Sequence, residues 1–92
     1  MMLGAYWSYS TAQTKPYFCQ ELSWSPDGSK VAFSARTEKE PYEIYTVNAD
    51  GSGLKQITND TTEDYWTFWS TDGKKIAFVN QNSVLYLVVL QP

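Results

Sequence analysis

Apolar and polar residues alternate along this chain in short runs, and the three-and-four spacing of an amphipathic helix is never sustained. The pattern predicts strands at residues 5–11, 17–24, 30–35, 42–48, 54–58, 65–69, 75–80 and 83–90. Between them stands turn chemistry. Ser25-Pro26-Asp27-Gly28 supplies a preset φ at Pro and a positive φ at Gly, and Asn48-Ala49-Asp50-Gly51-Ser52-Gly53 carries the Asp-Gly pair that favours a hairpin. In the strand at 30–35, Val31 and Phe33 fall on one face and Ala32 on the other, and so small a residue implies a second sheet lying close on that side. The strand at 42–48 is apolar in both directions, which predicts cover on both faces.

One stretch occurs twice. Trp24-Ser25-Pro26-Asp27-Gly28-Ser29-Lys30-Val31-Ala32-Phe33 returns as Trp69-Ser70-Thr71-Asp72-Gly73-Lys74-Lys75-Ile76-Ala77-Phe78, a constant offset of 45 from Trp24 to Trp69. A period in this range marks stacked repeats whose units cannot bury their apolar faces alone. The first unit, 17–58, reads as a four-stranded antiparallel meander. The second, 64–90, repeats three of its strands with a shortened loop after the second one, and lacks the outer strand. The fold class is therefore all-β, with no helix expected.

With 92 residues, 42% hydrophobic and 16% aromatic but only 18% charged, the chain is one small ordered domain. A net charge of −3 with scattered basic residues argues against a nucleic-acid partner. The lone Cys19 and the absence of His exclude an intrachain disulfide and Cys- or His-based metal sites. The apolar run at 84–90 is far shorter than the roughly 20 residues of a membrane-spanning helix, so no membrane insertion is expected. The first ten residues lack the basic and apolar regions of a secretory signal, and the compartment stays open.

Candidate chemistry is sparse. Without His the usual nucleophile–base pairs are absent, and no Ser lies in a Gly-x-Ser-x-Gly elbow. Asp60, Glu63 and Asp64 are carboxylates of the kind paired in glycoside hydrolysis, but a solvated loop before a strand is the stronger reading. Residues 48–53 lack the acidic series and terminal Glu of a calcium loop, and Asp27 and Asp72 read as turn residues that accept backbone N–H groups. Neither catalytic residues, nor a metal, nor a cofactor is predicted. Asn59-Asp60-Thr61 matches a glycosylation sequon, which carries little weight without a secretion signal.

The residues Ser25-Pro26-Asp27-Gly28-Ser29-Lys30-Val31-Ala32-Phe33, followed by Tyr42-Glu43-Ile44-Tyr45-Thr46-Val47-Asn48-Ala49-Asp50-Gly51-Ser52-Gly53-Leu54, resemble the WD40-like Pro-Asp β-propeller repeat of TolB-like proteins. The same repeat occurs in propeller domains attached to oligopeptidases. The resemblance covers residues 20–90, although Thr71 replaces Pro in the second copy and residues 85–90 lack the Asn-Ala-Asp-Gly turn. It implies two propeller blades, in a ring completed by oligomerisation or in a larger propeller. It also implies a non-catalytic scaffold for a protein or other ligand, in a family whose propellers are often periplasmic. The alternatives are a lectin-like glycan binder and a gating fragment of a peptidase-type protein.

In the self-assembling reading, the strand at 5–11, with Tyr6, Trp7 and Tyr9, completes the last blade of a neighbouring copy beside Leu85, Leu87 and Val89. Such head-to-tail contacts close when the rotation permits; three copies would give six blades and four would give eight. Trp24 and Trp69 share a repeat position and are expected to pack between blades. Strict alternation sends Tyr65, Thr67 and Trp69 to one side and Trp66 and Phe68 to the other. Tyr65, Trp66 and Phe68, with Tyr17 as the approximate counterpart in the first copy, are the candidate ligand-binding aromatics; Tyr65 and Trp66 fall near one mouth of the ring, where packing between blades is the stronger reading and stacking on a ligand the other.

Overall fold

A computed structural model describes residues 18–91 of the chain. Seven strands follow in order: β1 (Phe18–Trp24), β2 (Lys30–Arg36), β3 (Glu43–Asn48), β4 (Lys55–Gln56), β5 (Asp64–Trp69), β6 (Lys75–Asn80) and β7 (Leu85–Val89). They form two antiparallel meanders, a four-stranded sheet β1-β2-β3-β4 and a three-stranded sheet β5-β6-β7. The described residues contain no helix, and the arrangement is compatible with two neighbouring propeller blades. The expected strand at 5–11, with Tyr6, Trp7 and Tyr9, lies outside the described residues, as does Tyr17.

The repeated turns have matching chemistry. Gly28 and Gly73 sit at φ 75° and 72°, in the left-handed region that costs a side chain with a Cβ about 1–2 kcal/mol. In the first turn Asp27 Oδ1 accepts from Ser29 N at 2.9 Å, and Ser25 Oγ accepts from Lys30 N at 2.9 Å. In the second, Asp72 Oδ1 accepts from Lys74 N at 2.9 Å and Ser70 Oγ from Lys75 N at 3.0 Å. Ser70 Oγ also donates to Asp72 Oδ1 at 2.6 Å, and the bonds that the two carboxylates accept hold both aspartates below the ordinary range, Asp27 chiefly by Ser29 and Asp72 chiefly by Ser70. Residues 48–53 form the expected hairpin, closed by Asn48 N to Ser52 O at 2.9 Å.

Strict alternation fails at one place in each sheet. Between Gln20 and Ser23, and again between Tyr65 and Phe68, one strand carries an extra residue. Within each bulge one residue takes left-handed backbone, Glu21 at φ 56° and Trp66 at φ 42°. The bulge sets Tyr65 opposite Val79 and Phe68 opposite Ala77, so by register both belong to one side of the sheet. That corrects the expectation that Tyr65 and Phe68 face opposite ways.

The first sheet is buried on both sides at its centre. Phe33 and Tyr45 stack with centroids 5.8 Å apart and form a core cluster with Ala35 and Val47. Ala32, Ser34 and Ile44 are fully buried, and Thr46 nearly so. The small Ala32 does mark a close approach: Ser34 Oγ donates to Asp64 O of the second sheet at 2.6 Å, and Thr67 Oγ1 lies 3.5 Å from Ala32 O. In the second sheet Ile76 and Phe78 are buried, with Phe78 stacked on Tyr86 at 5.4 Å.

Candidate functional site

Two regions carry chemistry that the sheets do not need for their own hydrogen bonds: the junction between the sheets, and the outer face of the second sheet. The junction is built by β5 lying against β1, β2 and β3. Ser23 and Thr67 exchange a hydroxyl hydrogen bond at 3.0 Å, and Trp69 Nε1 donates to Ser23 O at 3.1 Å. Asp64 N donates to Tyr42 O at 2.8 Å, and Tyr42 N to Glu63 Oε1 at 2.8 Å. Polar contacts between small residues thus hold two backbones close together.

At one end of this junction lie three acidic residues. Glu43 opens β3, Asp60 lies in the connector and Asp64 opens β5, and one carboxylate oxygen from each falls within 4.8 Å of the others. Thr58 Oγ1 donates to Glu43 Oε1 and Asp60 N to Glu43 Oε2, both at 2.8 Å. Asp64 is fully buried, and no donor reaches its Oδ2. Burial, then the facing Glu43 carboxyl, push Asp64 up to about 7; Thr58 opposes the rise, and the charges of Asp60 and Glu43 add to it. The sequence places Asp64 in a solvated loop, but it begins a strand and is sealed between sheets. Glu43 carries no signal in the sequence, because its partner carboxylates lie in the connector and in the second repeat.

The outer face is defined by equivalence between the copies. In the first sheet Ala32 pairs with Thr46 and Ser34 with Ile44; in the second, Ala77 pairs with Leu87 and Val79 with Leu85. The first set carries the second sheet and is buried, Ala32, Ser34 and Ile44 at 0% exposure and Thr46 at 5%. Its counterparts point outward, with Leu85 64% and Leu87 65% exposed, flanked by Phe68 at 65% and Val89 at 59%.

The aromatic candidates are not gathered into one pocket. Tyr65 is half-buried, its ring tilted against Tyr42 at 5.8 Å and Trp66 at 6.0 Å. Trp66 is 53% exposed, on the bulge, and Phe68 belongs to the outer face. A cleft of about 730 Å³ opens instead between the two Asp-Gly turns, lined by Asp27, Lys30, Trp69, Asp72 and Leu90 among others. A second, of about 510 Å³, lies beside Arg36, Lys39, Asp60 and Glu63. None of Tyr65, Trp66 and Phe68 lines either one. Of the repeated tryptophans, Trp69 packs between the sheets as expected, whereas Trp24 is 57% exposed.

Comparison with known proteins returns partial matches. The chain is 42% identical over 65 residues to a dipeptidyl-peptidase 5 of Porphyromonas gingivalis, covering 65% of this chain and 10% of that protein. A dipeptidyl-peptidase 5 of Porphyromonas endodontalis is 36% identical over 63 residues, or 63% of this chain and 9% of that protein. A Tol-Pal system protein TolB of Anaeromyxobacter dehalogenans is 42% identical over 46 residues, covering 50% of this chain and 10% of that protein. The chain spans about a tenth of these relatives. No family model matches. The partial matches support a β-propeller-type repeat. Among the described residues, no helix is long and apolar enough to cross a membrane.

Proposed function

We propose that the chain is a non-catalytic pair of β-propeller blades that works as a binding scaffold, its outer face covered by a further blade in a closed ring. The observation that carries this reading is the equivalence of Leu85 and Leu87 to the buried Ile44 and Thr46. A surface that accepts a blade in one copy of the repeat is presented again, more apolar, in the next. Covering each such large side chain stabilises the contact by about 1.5–3 kcal/mol, whereas an uncovered apolar face beside the edge strand β7 invites aggregation. The covering blade belongs to a second copy of the chain, and repetition of one head-to-tail contact closes the ring.

A second reading is favoured by the two dipeptidyl-peptidase matches: the blades belong to a longer propeller that gates access to a peptidase unit. In that case the further blade comes from the same polypeptide. A glycan-binding role draws no support from the aromatics, since Tyr65 packs on Tyr42 and Trp66 lines neither cleft. Light scattering on the chain and its Leu87→Glu variant separates the first two readings. Self-assembly predicts a defined multimer that falls to monomer in the variant; a wild-type chain that is monomeric at every concentration contradicts it.

A further inference from the structure

We propose that Glu43, Asp60 and Asp64 bind a divalent cation of the calcium type, which ties the two sheets together at their junction. Three carboxylate oxygens converge within 4.8 Å, and they come from three segments: the start of β3, the connector, and the start of β5. A cluster of acids on an exposed loop needs no such explanation, because water neutralises it. Here Glu43 and Asp64 are buried, at 3% and 0% exposure, and Oδ2 of Asp64 has no hydrogen-bond donor. A buried carboxylate oxygen without a donor costs several kcal/mol unless a proton or a positive charge relieves it, and a bound cation does so without protonating the group.

The three converging groups are all carboxyls, so the cluster itself is of one sign, and Arg36 and Lys39 line the neighbouring cleft beside Asp60 and not the three-oxygen cluster. Its donors are oxygen only, which selects hard ions over zinc or copper. Calcium tolerates irregular sets of six to eight oxygens at about 2.3–2.6 Å, whereas magnesium demands a near-ideal octahedron that three carboxylates on separate segments do not offer. Asp60 is exposed and gives the ion a route from solvent, with water completing its shell. The remaining hydrogen bonds orient the ligands: Thr58 Oγ1 and Asp60 N fix the Glu43 carboxylate, and Thr62 N fixes Asp60 Oδ1 at 3.0 Å.

The test uses the whole chain, stripped with a chelator and then titrated with calcium chloride, magnesium chloride or terbium chloride. Calcium should raise Tm in a concentration-dependent way and magnesium should do so far less. Terbium luminescence sensitised by nearby aromatic residues should appear and be competed away by calcium. Asp60→Asn, at an exposed position that should not disturb folding, should weaken terbium binding tenfold or more; Asp64→Asn should abolish the calcium response while keeping the far-ultraviolet β spectrum. The proposal is overturned if calcium leaves Tm unchanged and no competable terbium signal appears, or if Asp60→Asn binds terbium as the wild type does. Neither result bears on whether a further blade covers the outer face.

Discussion

The two sheets are built from one repeat yet end in opposite circumstances. In the first, β2 and β3 are covered on both sides; in the second, the side bearing Ala77, Val79, Leu85 and Leu87 looks out. The residues track this difference in an unexpected direction. Where contact is made within the chain, the positions are Ala32, Ser34, Ile44 and Thr46, two of them hydroxyl-bearing, and the junction is sealed by hydroxyl and carbonyl groups such as Ser23, Thr67 and Ser34. On the outer side the matching positions are Ala77, Val79, Leu85 and Leu87, so Ser34 gives way to Val79 and Thr46 to Leu87, and the two leucines are exposed. Solvent exposure alone would favour the reverse at these two positions, which is the ground for the proposed covering blade.

The comparison breaks most sharply at Ile44 and Leu85, which are equivalent by register. Ile44→Ala empties a fully buried site and should cost about 2–5 kcal/mol of unfolding free energy. Leu85→Ala should change the stability of an isolated chain by less than about 0.5 kcal/mol, and should act on assembly instead. Urea unfolding measured below and above the assembly concentration distinguishes the two. Equal costs at both positions under dissociating conditions would mean that the two faces are not in different environments.

A smaller effect is expected at the junction. Thr67 sits in hydrogen-bond reach of Ser23 Oγ, Glu21 O and Ala32 O, and Thr67→Val removes the hydroxyl while preserving shape. The loss should be about 1–2 kcal/mol, since Ser23 is left with an unpaired hydroxyl. The equivalent exchange in the first sheet, at Leu22, has no such partner bond to break, and Leu22 is 66% exposed.

The smallest effect separates the sheets by their turns. Asp27 and Asp50 in the first sheet and Asp72 in the second are all held below the ordinary carboxylate range, by Ser29, Ser52 and Ser70 respectively. A depressed folded value means that the stabilisation is present above the unfolded value of 3.8 and disappears as pH falls through the folded one. Melting temperature should therefore decline below about pH 4, and each Asp→Asn exchange should flatten that decline slightly. A profile that the three exchanges leave unchanged would show that these turns do not carry the acid sensitivity.

Much of the fold is legible because its signals are local. Asp-Gly turns, the 45-residue repeat and period-two strands each need only a few adjacent residues, and so the meanders and the close approach at Ala32 follow from the chain alone. What escapes is set by contacts between repeats. The bulges at Glu21 and Trp66 place left-handed backbone on residues that do not favour it, which no propensity announces. The carboxylate cluster joins Glu43 to Asp64 across two segments, and ordinary expectation leaves an Asp beside Glu63 in water. Trp24 and Trp69 share a repeat position but differ in surroundings, because each depends on the sheet that lies against it.

Native mass spectrometry of the unmodified chain tests the central claim most directly. A covered outer face predicts one closed species of three or four copies that persists on dilution. A single-copy ion at all concentrations, with Leu85 and Leu87 still freely solvated, would contradict it.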